Sequence, residues 1–239
     1  MIPGDSLGVE SLLAVVTAAL PAATPEAIGM LLLRDDPQFA RIDVGGTQPL
    51  VAAALEDGRR LASVIRLTCG VAPVVIAERN AVRVVEVSEA HDYGTTVVYA
   101  EYTERPPQIR LFLPAIRALN RCLTDFELHR AMGLTDIAPV FLAHELYHHL
   151  DCLRDTDRLV ARHRVPLLRL GPVHWTTGLA SLPEIAAGAF AQHLLGLRYH
   201  PKILDLILLF HADPRAALRM VESLQQQTLE IKESEGSVA

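Results

Sequence analysis

The sequence predicts an α+β fold in which a small, mostly antiparallel sheet of about four strands packs on helices. Three observations support this prediction. Segments with the apolar spacing of amphipathic helices occur within residues 6–69 and 181–229. Short runs rich in β-branched residues, separated by turn-forming residues, lie between them at positions 73–112. Half of the 239 residues are hydrophobic, which is enough to bury a substantial core.

Three helices are predicted before the sheet, each from its own start or stop signal. Ser6 can cap a first helix, which Pro21 stops. The pair Thr24-Pro25 has the capping residue and first-turn proline that are typical of a helix start. Residues 49–69 repeat apolar side chains roughly at the helical period, and Gly70 is a natural residue to follow the helix end.

Four strands are predicted, at residues 73–78, 81–88, 95–102 and 108–112. The segments that connect them are short and rich in turn-forming residues. Short connections favour pairing of consecutive strands, so we expect an antiparallel meander.

The remaining chain is predicted to be mostly helical. A helix at 114–132 ends at Gly133, and Thr135 caps the next one, at 136–153. An arginine-rich segment and a loop that contains His174 follow. The last helices are predicted at 181–195, 201–210 and 214–229.

We expect a single domain covering residues 1–239. Its N-terminal helices occupy 1–70, its central part with the candidate site occupies 71–196, and its C-terminal helices occupy 197–231. The tail at 232–239 is predicted to be disordered.

Composition excludes several functional classes. The net charge of −6 argues against a general nucleic-acid binder. The three cysteines are odd in number and form no Cys-x-x-Cys pair, which favours reduced thiols in a cytoplasm. The apolar segment at 11–20 lacks the basic residues that precede the core of a signal peptide. No run approaches the ~20 apolar residues of a membrane span, so we expect no membrane partner.

The central motif is His144-Glu145-Leu146-Tyr147-His148, which contains His-Glu-x-x-His. Residues four apart lie on one face of a helix, so His144 and His148 can bind the same metal ion. Glu145, one step round the helix, can reach a water molecule on that metal and act as its base.

A catalytic zinc needs a third protein ligand and an open position. Glu184 is the favoured candidate, because it opens a separate helix whose small and apolar neighbours permit close packing. Glu184 can also be explained without a metal, as a carboxylate that the helix macrodipole stabilises. His174 is the alternative third ligand. It could instead stabilise the substrate oxyanion or be an exposed loop residue. Asp151 and Asp155 share the motif helix and are better placed around the site or in solvent.

The motif, followed some tens of residues later by the run Glu184-Ile185-Ala186-Ala187-Gly188-Ala189-Phe190-Ala191, resembles the gluzincin class of HExxH zinc metallopeptidases. It is most similar to the small bacterial ImmA/IrrE-type enzymes, in which a helix with an Ala…Phe-Ala pattern supplies a glutamate ligand. The resemblance covers about residues 50–196. It implies a minimal zincin-like fold with helical additions at both ends, and Zn2+ held by His144, His148 and Glu184.

These observations predict a zinc metallopeptidase that hydrolyses peptide bonds in a peptide or protein substrate. Zinc would activate a water molecule, and Glu145 would act as its general base. Two alternatives remain open. The same scaffold can serve as a non-catalytic zinc-binding regulatory or protein-interaction module. In a helical domain without metal, His144 and His148 would be structural residues.

Overall fold

The structure, a computed structural model, describes residues 9–89, 97–125, 128–134, 136–171 and 173–236. Within these ranges the protein is mixed α+β with two small sheets, which confirms the predicted fold class at that level. The predicted helix caps Ser6 and Thr135 lie outside the described residues, as does the start of the strand predicted at 95–102.

The regular elements of the described residues are, in chain order, α1 (Val9–Ala19), α2 (Pro25–Arg34), α3 (Thr47–Cys69), α4 (Pro73–Arg79), β1 (Arg83–Val87), β2 (Ala100–Thr103), β3 (Gln108–Phe112), α5 (Leu113–Asp125), α6 (Leu128–Met132), α7 (Ala138–Cys152), α8 (Leu159–Arg162), β4 (Arg164–Leu170), β5 (Val173–Gly178), α9 (Ser181–Leu195), α10 (Ile203–Ala212) and α11 (Pro214–Gly236). Short 3-10 turns lie at Phe39–Arg41 and Asp155–Asp157.

Boundaries that the sequence marks with local signals are confirmed at three helices. The Thr24 hydroxyl accepts the backbone N–H of Ala27 at 3.1 Å, and Pro25 begins α2. Gly70 follows the end of α3. The helix predicted at 181–195 is α9, with the same bounds. These elements depend on signals within a few residues of their own ends, which is why the sequence suffices to predict them.

The first sheet has the strand order β1-β3-β2. Its central strand β3 is antiparallel to β2 but parallel to β1. The predicted antiparallel meander is therefore wrong. The consecutive strands β1 and β2 thus lie at opposite edges with β3 between them, an arrangement that the strand sequences themselves do not specify.

The first predicted strand, at 73–78, is wrong because these residues form α4. A short apolar run does not distinguish a strand from a buried helix by its periodicity. Pro73 fits the first helical turn, where its missing N–H removes no hydrogen bond. Ile76 and Ala77 are buried, whereas Val74 and Val75 are exposed, as expected for a helix with one face on the core.

Further comparisons concern the second half of the chain. The sequence does not predict the antiparallel hairpin of β4 and β5, which includes the segment containing His174. The helix predicted at 114–132 corresponds to α5 and α6, between which residues 126–127 lie outside the described ranges. The tail predicted from 232 onward is helical as far as Gly236, where α11 ends, and 237–239 lie outside the described residues.

The buried hydrophobic residues form a connected core under the first sheet and the helices around it. Within it, α9 packs against both α3 and α7. The closest approach is at Gly58 of α3, where an added Cβ would lie 2.1 Å from the carbonyl oxygen of Ala186 in α9. Only glycine permits this approach. Helix α9, which carries Glu184, therefore packs between α3 and the helix of the motif histidines.

In the described part of the chain, no single helix is long and apolar enough to cross a membrane. Helices α3 and α4 are long and apolar enough only when they are taken together, and the chain bends by 79° between them.

Candidate metal centre

Helix α7 places its two motif histidines on one face and its leucines on another. Leu146 and Leu150 are buried in the core. His144 and His148 lie one turn apart, with their side chains 25% and 20% exposed. Leu153 follows the end of α7 and is exposed.

Glu184, in the first turn of α9, meets both histidines. Its Oε2 lies 3.1 Å from Nε2 of His144, and its Oε1 lies 3.3 Å from Nε2 of His148. The two Nε2 atoms are 3.3 Å apart. Among the described residues, these three form the one group of histidine, cysteine and acidic side chains that can converge on a metal ion.

The geometry and donor set of this group fit zinc. A tetrahedral site with bonds of about 2.0–2.1 Å separates its ligand atoms by about 3.3–3.4 Å. The separations among His144, His148 and Glu184 are 3.1, 3.3 and 3.3 Å. Two imidazole nitrogens with one carboxylate is a ligand set of catalytic zinc, which keeps a further position for water.

The three side chains strongly influence one another's protonation. Desolvation lowers the pKa of His144, but the hydrogen bond to Glu184 and the charges of Glu145 and Glu184 outweigh it, so that pKa is raised. Desolvation and the neighbouring His144 lower the pKa of His148 to about 4. The Glu184 side chain is 52% exposed, yet its neighbours desolvate the carboxyl. The hydrogen bond from His144 and the charges of both histidines outweigh that desolvation and lower the pKa of Glu184 to about 2.

At neutral pH Glu184 is therefore ionised and His148 is neutral, as metal ligation requires of a carboxylate and an imidazole. Of the two histidines, His144 is the one whose protonated form the neighbouring carboxylates favour.

Glu145 and the candidate ligands His144 and Glu184 line a cavity of about 290 Å3. Desolvation raises the pKa of the Glu145 carboxyl; the charge of His144 opposes this shift, and the charge of Glu184 adds to it. A carboxylate with a raised pKa is a more effective proton acceptor near neutral pH. Glu145 therefore has both the position and the basicity of a general base.

Residues that lead into the edge strand β2 form one wall of this cavity. Val97, Val98, Tyr99 and Ala100 line it, and the Tyr99 ring stacks on Phe141 of α7 at a centroid distance of 4.2 Å. Further along the strand, the backbone N–H of Tyr102 donates a hydrogen bond to the Glu145 carboxylate.

His200 lines the same cavity, although no spacing in the sequence singles it out. Its Nδ1 accepts the backbone N–H of Lys202 at 3.2 Å. An added Cβ at Gly188, one turn after Glu184, would lie 2.3 Å from its imidazole ring. Desolvation and the charge of His144 lower the pKa of His200 to about 3, so this histidine is neutral. Tertiary packing alone brings it to the site, which is why local sequence signals miss it.

The second candidate ligand lies elsewhere. His174 is an exposed residue of β5, and it belongs neither to the converging group nor to the cavity wall among the residues that the structure describes. His149, which follows the motif, is buried, with its Nδ1 3.0 Å from the Tyr102 hydroxyl, and it is not part of the converging group. Asp151 accepts the backbone N–H of Leu159 at 3.1 Å and supports the turn after α7.

A buried ion cluster, also not predicted, fixes α7 to α3. The Asp57 side chain is 1% exposed and accepts two hydrogen bonds of 2.9 Å from Arg154, together with one from Arg162. Desolvation raises the pKa of Asp57, but the hydrogen bonds from Arg154, Tyr147 and Arg162 outweigh it and lower this pKa to about 2. The cluster is therefore ionised throughout the physiological range.

Neither a family model, nor a curated protein, nor a solved structure matches this chain. Functional inference therefore depends on the geometry and chemistry of the site itself.

Proposed function

We propose that the chain is a zinc-dependent metallopeptidase on a minimal zincin-like fold, acting on a peptide or protein substrate. The convergence of His144, His148 and Glu184 at 3.1–3.3 Å carries this proposal. Glu145 and the chain that leads into the edge strand β2 lie beside the group, which favours hydrolysis of an extended peptide over simple metal storage. The three free cysteines favour a cytoplasmic location.

The proposed mechanism divides the work among four side chains. His144 and His148 would hold zinc through neutral Nε2 atoms, and Glu184 would hold it through its carboxylate. When bound, zinc lowers the pKa of a water molecule and polarises the scissile carbonyl. Glu145 accepts the proton of the attacking water and passes it to the leaving amine.

The substrate backbone pairs with the chain that leads into the edge strand β2 by strand addition. This pairing places an extended peptide along Val97–Ala100 and so past Glu145. The cavity wall there is mostly apolar, because Val97, Val98 and Phe141 contribute to it.

Metal analysis of purified variants tests the ligand assignment. Elemental analysis should find one zinc in the wild type and little in His144→Ala or His148→Ala. His129→Ala is the matched control, because His129 is exposed on α6 and has no place in the site. Full zinc occupancy in both motif variants would contradict the proposal.

Peptide cleavage, followed by mass spectrometry on a peptide library, tests the chemistry. Glu145→Gln should keep its zinc and lose hydrolysis, by roughly a factor of 10²–10⁴ for a general base. Glu86→Gln, an exposed change on β1, should retain full activity. A wild type that holds zinc and cleaves no peptide would instead support the non-catalytic zinc-binding module.

A further inference from the structure

A second and larger cavity, of about 540 Å3, lies between α3, the start of α2 and the C-terminal part of α9. In the described part of the chain it shares no lining residue with the cavity beside the metal centre. Its polar lining comes from Arg59, Arg66, Gln192 and His193, and its apolar lining includes Pro25 and Leu197.

The charge of this lining is positive. Arg59 and Arg66 are seven residues apart on α3, and residues at that spacing lie on one face of a helix. No acidic side chain is among the described residues that line the cavity. Two guanidinium groups therefore face one cavity on a chain whose net charge is −6.

Both arginines are oriented by backbone carbonyl groups. Arg66 Nη1 donates to the carbonyl oxygens of His193 and Leu194, at 2.9 and 3.1 Å, and so caps the C-terminal end of α9. Arg59 Nε donates to the Leu55 carbonyl at 3.2 Å. A guanidinium has five N–H donors, so each arginine keeps donors for a ligand.

The remaining contacts leave the positive charge available. The acid nearest to Arg59 Nε is Glu56, at 3.9 Å, and its side chain is 70% exposed. An exposed pair at that distance is weak. His193 lies beside Ser63, with 3.0 Å between His193 Nε2 and the Ser63 hydroxyl, which holds this ring at the cavity.

We propose that this cavity binds a small organic molecule that carries a phosphate or carboxylate group. The planar guanidinium matches both groups with two parallel hydrogen bonds. A volume of about 540 Å3 lies in the range of small-molecule sites and leaves room for an organic portion beside the anionic group. The apolar side chains of Pro25 and Leu197 contact that portion. This site does not depend on the proposed peptidase activity.

Isothermal titration of the full chain tests the proposal with two probes, inorganic pyrophosphate and citrate, at constant ionic strength. Binding of pyrophosphate alone identifies a phosphate site, and binding of citrate alone identifies a carboxylate site. Arg59→Gln should weaken the binding by roughly tenfold or more, because it removes a charged hydrogen-bond donor. Arg117→Gln, an exposed arginine of α5 outside the cavity, should leave it unchanged.

Two additional measurements keep the result unambiguous. Thermal unfolding of Arg59→Gln should match the wild type, because the Arg59 side chain is 44% exposed and makes no buried ion pair. The titrations are repeated after metal removal with a chelator and dialysis. Binding that disappears with the metal would place the anion at the metal centre, and unchanged affinity in Arg59→Gln would place it outside this cavity. Either result would overturn the proposal. Absence of binding by both probes would also overturn it.

Discussion

The Tyr147 hydroxyl donates a hydrogen bond of 2.8 Å to the Asp57 carboxylate, although 90 positions separate the two residues in the chain. Tyr147 is one of the two unspecified residues of the His-Glu-x-x-His motif, and its side chain is fully buried. The same carboxylate accepts two hydrogen bonds from Arg154, two residues beyond the end of α7. Asp57 therefore fixes the rotation and position of the helix that presents His144 and His148.

Loss of the Asp57 charge should destabilise the protein strongly. Asp57→Asn removes the charge that pairs with Arg154 and Arg162, and Asp151 is left as the buried partner of Arg154. Breaking a buried ion pair typically costs about 3–5 kcal/mol. Tyr147→Phe removes the hydrogen bond to Asp57 and the one that the hydroxyl accepts from Arg154, and should cost about 1–3 kcal/mol. Urea unfolding measures both changes. Glu56→Gln, the exposed neighbour on α3, should change the free energy of unfolding by less than about 0.5 kcal/mol. A cost below about 1 kcal/mol for Asp57→Asn would show that the cluster adds little stability.

The Asp57 cluster also predicts a dependence of stability on acid. The pKa of Asp57 is lowered to about 2 in the folded protein, against about 3.9 in an unfolded chain. The unfolded state therefore takes up a proton first as the pH falls. The contribution of Asp57 is complete above about pH 5 and is lost between about pH 4 and pH 2, with a size of roughly 2 kcal/mol.

Urea unfolding at a series of pH values between 2 and 6 measures this loss. Subtracting the Asp57→Asn curve isolates the contribution of Asp57 from that of the other carboxylates. A constant difference between wild type and variant over this range would contradict the assigned pKa.

The contact of α3 with α9 gives a second prediction about the site. A Cβ at Gly58 would lie 2.1 Å from the Ala186 carbonyl oxygen and 2.9 Å from the Phe190 nitrogen, so Gly58→Ala forces α9 away from α3. Alanine is more favourable than glycine in a helix by about 1 kcal/mol. Overpacking, however, typically costs about 1–3 kcal/mol. Because this backbone contact is so short, we expect Gly58→Ala to lower the free energy of unfolding by about 3 kcal/mol.

Because α9 carries Glu184, the same displacement should weaken zinc binding by roughly tenfold, as the loss of a supporting contact does in other metal sites. Chemical denaturation and competition with a zinc indicator measure the two effects. Val64→Ala, at a position of α3 that is 51% exposed, serves as the control and should change neither. Unchanged zinc affinity in a destabilised Gly58→Ala would show that α3 does not position the ligand.

Local signals explain which parts of this structure the sequence could predict. The bounds of α9 and β3 follow from residues at or near the ends of each element. The shared face of His144 and His148 follows from their spacing of four residues. The role of Gly58 could not be predicted, because in the sequence a glycine within a helix only weakens helix propensity. Glycine is needed at position 58 because the α9 backbone lies only 2.1 Å from the place that a Cβ would occupy.

Within the site, too, local signals predict some residues, whereas tertiary packing determines the position of others. Glu184 could be proposed from its position at the start of a helix with small neighbours, but that position also suits an ordinary helix carboxylate. His200 could not be proposed, because its contact with Gly188 depends on how the segment before α10 folds back over α9. The parallel pairing of β1 with β3 likewise depends on the path of a connection, which strand patterns do not encode.

The choice between Glu184 and His174 as the third ligand gives the final prediction. Glu184→Ala should weaken zinc binding by more than about a hundredfold, beyond what the loss of a supporting residue causes, because it removes one of three protein ligands. His174→Ala should leave the affinity unchanged, because His174 is exposed on β5 and outside the converging group. Competition with a chromophoric zinc chelator measures both affinities. The reverse pattern would require β5 to move toward α7 on metal binding and would transfer the ligand role to His174.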